Sequence, residues 1–167
     1  MKWLTMLMLA VLVFVSGCDK KASPETILQM DATTKIAVEL STQWNTRKST
    51  IVAVKAEEAA ILAIAVSDIG DTFGLIALGL SNYNDALLSK KRLSKNSASK
   101  IRETVDTLNT LSLVVPQLLA KMKAVDAADD DAVAIWKELV KTNLGQLTAA
   151  FARLDELVKA DLAVEKK

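Results

Sequence analysis

The sequence predicts an all-α protein, an antiparallel bundle of about four amphipathic helices that follows a cleaved signal peptide. Alanine, leucine, valine and lysine dominate its 167 residues, whereas glycine occurs five times and proline twice. A sheet protein would need turn residues at intervals of about 8–12 positions, so this composition favours helices. Apolar residues also recur at steps of three and four, the spacing of one helix face. Helices of this kind joined by short connections form antiparallel bundles.

The first predicted helix spans residues 25–67. The triplet Ser23-Pro24-Glu25 is a typical helix start, because serine caps free backbone amides, proline suits the first helical position and glutamate suits the first turn. No glycine or proline follows until Gly70. Polar and β-branched residues cluster at 45–50 and lower the helix propensity there. The pattern therefore leaves open whether 25–67 forms one helix or two.

The stretch Ala59–Leu80 is the most apolar part of the mature chain, with Asp68 and Asp71 as its only charged residues. Gly70 and Gly74 form a Gly-x-x-x-Gly pair, which in an apolar segment is typical of close helix contact in a membrane. Two aspartates near the centre oppose insertion, each by about 2.5–3.5 kcal/mol. Because Gly70 and Asp71 also suit a helix end and a new N-cap, the stretch is predicted to be a buried helical hairpin with its turn at Gly70.

Three further helices are predicted over about 72–90, 98–124 and 132–163. Pro116 is expected to kink the second of these, because it cannot donate a backbone hydrogen bond. Ser89–Lys100 is predicted to be a basic loop, with the next helix beginning at Asn96 or Ser97. Aspartates at 126–131 are expected to form an acidic turn that caps the last helix.

The N-terminal residues have the pattern of a secretory signal. A positive start, Met1-Lys2, precedes an uncharged run from Trp3 to Val15. A run of this length is too short to cross a bilayer, which needs about 20 apolar residues, but it suits the apolar region of a signal peptide. A membrane-spanning signal anchor is the less favoured alternative.

The next residues, Val15-Ser16-Gly17-Cys18, resemble the lipobox of bacterial lipoproteins. The resemblance implies that Cys18 receives a diacylglyceryl group on its sulfur, that cleavage follows Gly17, and that the new amino group is acylated. Cys18 is also the only cysteine, so it cannot form an intramolecular disulfide. A nucleophilic cysteine would need a base such as histidine, and the chain has none.

The lipobox resemblance implies a domain organisation and a location. The expected parts are a signal peptide at 1–17, a lipidated cysteine with a short tether at 18–23, and a helical bundle at 24–167. The protein is expected to be lipid-anchored to a bacterial membrane and to face the periplasm or the cell exterior. Asp19 resembles an inner-membrane retention signal of enterobacterial lipoproteins, but Lys20 is not its usual neighbour. The choice between inner and outer membrane stays open.

Composition and motifs argue against nucleic-acid binding, metal binding and catalysis. Charge is nearly balanced, with 21 basic and 20 acidic residues, and aromatic residues make up only 4%, whereas nucleic-acid binders usually have excess basic residues or stacking aromatics. Without histidine, carboxylates such as Glu58 and Glu103 lack the imidazole partners of di-iron bundles. We therefore expect no enzyme activity, no metal and no cofactor apart from the covalent lipid on Cys18.

The basic loop is a candidate membrane contact. If the first helix leads away from the anchor and the second returns, this loop faces the membrane again. A basic residue near an anionic lipid surface contributes about 1 kcal/mol to binding. The residues concerned are Lys90, Lys91, Arg92 and Lys95. The alternative is an ordinary solvated connection.

The leading functional hypothesis is a helical protein-interaction module: an adaptor, an assembly factor, or an exclusion or immunity factor that docks on an envelope protein. Trp44 and Trp136 are candidate partner contacts, because interface hot spots favour tryptophan. Their positions on apolar stripes favour a core role instead.

Two other functions remain open. A small ligand could bind between the helices, where Arg47, Glu58 and Asn143 interrupt apolar stripes and could supply polar contacts; rotation of these side chains to the surface explains them equally well. Alternatively, Ala59–Leu80 could insert into a membrane as part of an effector.

Overall fold

The computed structural model describes residues 20–51, 57–124, 138 and 140–163, and within them the chain is almost entirely helical. The predicted all-α class is confirmed. The helices are α1 (Pro24–Ile51), α2 (Glu57–Lys90), α3 (Lys95–Ala124) and α4 (Gly145–Ala163), with a π-helical turn at Val140–Leu144 directly before α4. Two short strands, β1 (Lys20–Lys21) and β2 (Arg92–Leu93), complete the described elements.

Helix α1 packs against both α2 and α4, and α4 packs against α3. Neighbouring helices run antiparallel. The Trp44 indole near the end of α1 donates to the Val66 carbonyl near the beginning of α2 at 3.1 Å. The Ser23 amide directly before α1 donates to the Asp161 carboxylate near the end of α4 at 2.8 Å, and Arg102 near the beginning of α3 lies 3.9 Å from the Asp155 carboxylate in the second half of α4. The chain therefore runs up, down, up and down.

Buried apolar side chains from all the described helices form one core. Its largest fully buried members are Met30, Leu40, Trp44, Phe73, Leu87, Leu93, Leu108, Leu119, Leu144 and Phe151. Leu93 belongs to a two-residue strand, so the connection between α2 and α3 is packed into the core and is not a free loop.

The predicted turn at Gly70 is wrong, because α2 continues through it. Gly70 is buried against Trp44, and a Cβ added at Gly70 would lie 2.7 Å from the Trp44 Cδ1 atom. Glycine is therefore needed here for close helix approach and not for a turn. The first reversal of the chain lies between Ile51 and Glu57 instead, and the predicted first helix is divided between α1 and α2.

The predicted basic loop is much shorter than expected, because α2 extends to Lys90 and α3 begins at Lys95. Lys91 ends α2 in the left-handed conformation (φ 51°), and its amide donates to the Leu87 carbonyl at 2.7 Å. Ser94 caps α3 by accepting the Ser97 amide at 3.2 Å. Helix α3 therefore starts slightly before the predicted positions, and it continues through Pro116.

Candidate functional site

The basic residues of the predicted loop lie beside the first described residues of the chain. Strand β1 pairs antiparallel with β2, so that Lys20 is opposite Leu93 and Lys21 is opposite Arg92. The Ala22 amide extends the contact by donating to the Lys91 carbonyl at 2.9 Å. We call the region formed by residues 20–25, 90–94 and 159–163 the N-terminal end of the bundle.

One buried side chain from each segment explains why so short a strand pair forms. Leu93 is fully buried and Ala22 is almost so, which fixes both segments to the core. Side chains alternate between the two faces of a strand, so burial of Leu93 turns its neighbour Arg92 to the solvent. Arg92 and Lys21 are both exposed. The pairing register thus holds two cations opposite each other on the outer face.

Asp161 of α4 ties the start of α1 to the end of the bundle. Its Oδ2 atom accepts the Ser23 amide at 2.8 Å and the Thr26 hydroxyl at 2.7 Å. The predicted N-cap is confirmed, since the Ser23 hydroxyl accepts the Thr26 amide at 3.2 Å. Nearby, the Lys20 ammonium donates to the Leu162 carbonyl at 2.5 Å and so caps the last turn of α4. The first residues of the fold are therefore held by side-chain hydrogen bonds.

The N-terminal end is strongly basic. Its three segments contain six basic and only two acidic residues, and one of the two carboxylates, Asp161, already accepts two hydrogen bonds. The exposed cations are Lys21, Lys90, Lys91 and Arg92. In the part of the chain that the structure describes, these four side chains make no ion pair or hydrogen bond with another residue. The surface they form is suited to binding anionic groups.

The structure thus brings three of the four predicted membrane-contact residues to one end. Lys90, Lys91 and Arg92 lie there, whereas Lys95 begins α3 and its side chain is outside the described residues. Cys18 and Asp19 are also outside them. Because β1 begins at Lys20, only Asp19 separates Cys18 from the folded body in the sequence, and the two steps from Cys18 to Lys20 span at most about 7 Å at ~3.5 Å each.

The predicted partner and ligand residues are not gathered in one place. Trp44 is fully buried and packs edge-to-face on Phe73, with ring centroids 5.1 Å apart. It is a core residue and presents no exposed surface to a partner. Asn143 is half-buried within the π-helical turn. Trp136 and the side chains of Arg47 and Glu58 lie outside the described residues, as does the acidic stretch 126–131.

Lys21 and Asp161 are the site residues that sequence reasoning missed. Lys21 was expected to belong to the tether, but it forms part of β1. A two-residue strand has no periodicity from which it could be recognised. Asp161 binds Ser23 and Thr26 across 138 and 135 positions of sequence, and no local pattern marks such a contact.

Helix α2 includes the one segment that could cross a membrane by length and composition among the described residues. This segment, Ile64–Lys90, has a mean hydropathy of 1.4, and 39% of its most apolar window is buried in the fold. Core helices of soluble proteins have the same properties, so the finding is weak evidence for insertion.

Comparison with known proteins adds no relative. No protein-family model matches the chain, and neither the curated proteins nor the solved structures show a significant similarity to it.

Proposed function

We propose that this chain is a lipid-anchored bacterial envelope protein whose helical bundle acts as a protein-interaction module, without catalysis. The observation that supports the proposal is that strand β1 begins only two positions after Cys18 in the sequence. Lys20 is already paired in β1, so a lipid on Cys18 is attached almost directly to the N-terminal end of the bundle. A flexible tether of many residues would let the bundle move independently of the lipid anchor. With so short a tether, the anchor also limits the position of the bundle relative to the membrane.

Anchoring of this kind serves docking. Two or more acyl chains give stable membrane attachment, whereas a single chain gives only marginal binding. Restriction to the membrane raises the effective concentration of the module near other envelope proteins. Its role is that of an adaptor, an assembly factor, or an exclusion or immunity factor, on the inner or the outer membrane.

The partner contacts the exposed helix faces and not Trp44. Several large apolar side chains on three helices remain accessible to a partner: Leu28 and Val38 on α1, Ile64, Leu78 and Leu88 on α2, and Leu113 and Val114 on α3. Leu28 and Leu113 are the most exposed, each at 70%, and they are the first positions to substitute when a partner is mapped.

Two linked measurements test the proposal. Mass spectrometry of the mature N-terminal peptide should find Cys18 as the first residue, carrying a diacylglyceryl and an N-acyl group. Affinity purification from crosslinked membranes should recover a stoichiometric envelope protein, and a Cys18→Ser control should lose it. An unmodified Cys18 would refute the anchor. An acylated protein that is recovered alone would refute the docking role.

A second candidate function is that of a membrane-inserting effector. It is supported by helix α2, in which Ile64–Lys90 is long and apolar enough to span a bilayer. Insertion would have to separate α2 from Trp44 and α1, with which it shares the core. Release of dye from lipid vesicles on addition of the purified protein would favour this candidate. Vesicles that stay intact would exclude it.

A further inference from the structure

We infer that the N-terminal end of the bundle is a binding surface for anionic lipid headgroups, formed by Lys21, Lys90, Lys91 and Arg92. The inference deepens the proposed function, because it gives the anchored end a second contact with the membrane. Lys21 comes from the segment that follows the anchor, Lys90 is the last residue of α2, and Lys91 and Arg92 come from the connection between α2 and α3. The strand pair joins the two segments, and the surface exists only when the bundle is folded.

The arrangement of the cations points to an anionic partner. Like charges directly opposite each other on paired strands repel, and such a pair destabilises a sheet. The register places Lys21 opposite Arg92, with Lys91 between α2 and Arg92. The described residues supply no carboxylate to any of the four side chains. A partner that carries several negative charges would relieve the repulsion, and a bilayer that contains anionic lipid is such a partner.

The distance to the anchor identifies that partner as the membrane itself. The interfacial region on each side of a bilayer is about 5–8 Å thick, and the chain from Cys18 to Lys20 spans about 7 Å at most. The exposed cations are therefore held at the level of the headgroups. This is within the Debye length of about 8 Å at physiological ionic strength, so salt screens the attraction only in part.

Two contacts at the same end have a consequence for orientation. An acyl anchor alone would let the bundle tilt about Cys18. With the four cations on the headgroups, the helices stand away from the bilayer, and the end of the bundle near Ile51 and Glu57 is presented furthest from the membrane. The surface thus determines which helix faces a partner can reach.

The orientation can be measured with a fluorophore on a single introduced cysteine. Cys18 is the only cysteine of the chain, and lipidation would block its sulfur. Ser89→Cys places a probe at the N-terminal end of the bundle, and Gln117→Cys places one about 33 Å further along the bundle, at ~1.5 Å per helical residue. Both positions are exposed. Energy transfer to a headgroup dye is measured for the acylated protein in vesicles rich in phosphatidylglycerol and in neutral phosphatidylcholine vesicles.

The expected result in anionic vesicles is strong transfer from position 89 and weak transfer from position 117. Neutralising the surface with K21Q, K90Q, K91N and R92Q should reduce the difference between the two probes, as should neutral vesicles. Asparagine is used at 91 because it tolerates the left-handed conformation. The matched control neutralises four cations elsewhere, K35Q, K121Q, K141Q and R153Q, and should leave the difference unchanged. Equal effects of the two sets would overturn the inference.

A second measurement separates failure of this surface from failure of the anchor. The mature chain with Cys18→Ser, which cannot be acylated, should bind anionic vesicles and not neutral ones. Each cation is expected to contribute about a fivefold change in affinity, so the four substitutions together should weaken binding roughly six-hundredfold. Unchanged binding would overturn the inference even if Cys18 is acylated in cells. An unmodified Cys18 would overturn only the anchor.

Discussion

Helix α1 is held by α2 on one side and by α4 on the other, and the distinctive contacts on the two sides differ in kind. Against α2, the Trp44 indole packs closely on Gly70, which leaves room for it because glycine has no side chain. The indole also packs edge-to-face on the Phe73 ring. Against α4, the start of α1 is held by hydrogen bonds from Ser23 and Thr26 to Asp161. The first contact is mainly apolar, with one hydrogen bond from the Trp44 indole to the Val66 carbonyl, and it lies far from the N-terminal end. The second contact is polar and lies within that end.

The difference shows how stability and function are divided along α1. Burial of a large aromatic side chain contributes several kcal/mol, while a hydrogen bond to a charged group contributes about 1.5–3 kcal/mol. We therefore expect the α2 side to supply most of the stability of α1. The α4 side fixes the position of the first residues and, through them, the position of β1 and its cations.

The largest effect is expected from Trp44→Ala, which removes the main contact on the α2 side. Truncating a fully buried tryptophan costs about 3–5 kcal/mol, to be measured as the change in free energy of unfolding in urea. Leu28→Ala is the control, since Leu28 is 70% exposed, and should change stability by less than about 0.5 kcal/mol. Similar losses for the two variants would contradict the burial of Trp44 in the core.

Two of the three glycines of α2, Gly70 and Gly74, should respond to alanine with opposite signs. A Cβ at Gly70 would lie 2.7 Å from Trp44 Cδ1, whereas a Cβ at Gly74 would meet only the Ser41 hydroxyl at 3.8 Å. Gly74→Ala should stabilise α2 by about 0.5–1 kcal/mol, because glycine is unfavourable in a helix interior. Gly70→Ala should destabilise the protein by about 1–2 kcal/mol, because overpacking outweighs that gain. Stabilisation by both substitutions would show that Trp44 can move aside.

Gly70 also shows why the sequence predicted the helices better than their ends. The apolar stripes and the Ser23 cap identify helical segments from local spacing. A glycine, however, is used both at helix ends and where helices approach closely, and the two uses look alike in sequence. Only the position of Trp44 on the opposing helix distinguishes them, and that position depends on the fold.

The sequence predicted part of the N-terminal end correctly, namely the placement of its basic loop residues, even though the turn at Gly70 was wrong. Placing Lys90, Lys91 and Arg92 beside the start of the chain required only one reversal between the first residues and the loop. In the structure α1 ends at Ile51, and α2 begins at Glu57, continues through Gly70 and runs antiparallel to α1, so the same relation holds without a turn at Gly70. The β1–β2 pairing and the Asp161 contacts could not be predicted, because each depends on residues that are distant in sequence.

A smaller effect is expected on the α4 side. Asp161→Ala removes the acceptor of two hydrogen bonds and should cost about 1–3 kcal/mol of unfolding free energy. Asp161→Asn should cost less, because one amide oxygen can still accept both hydrogen bonds. Asp85→Ala, which removes an exposed carboxylate of α2, is the control and should be nearly neutral. A loss from Asp161→Ala as large as that from Trp44→Ala would contradict the assignment of stability to the α2 side.

The smallest effect concerns Asp31, which adds one polar contact to the α2 side by accepting a hydrogen bond from the Asn84 amide at 3.3 Å. The hydrogen bond from the Lys35 ammonium, followed by that from Asn84, holds the pKa of the Asp31 carboxyl below its ordinary value of 3.8, although desolvation opposes the shift. A folded-state pKa below the unfolded one favours the charged carboxylate in the folded protein. The resulting stability is present above about pH 4 and is lost as the pH falls through the lowered pKa.

The measurement is the difference in unfolding free energy between the wild-type protein and Asp31→Asn. The difference should be small near pH 6, because the carboxylate is at the surface, and it should shrink as the pH falls below about 4. In a Lys35→Gln background the pH dependence of the difference should be weaker, since the largest cause of the shift is gone. A difference that does not change with pH would contradict the lowered pKa of Asp31, and this polar contact would then add no charge-dependent stability to the α2 side.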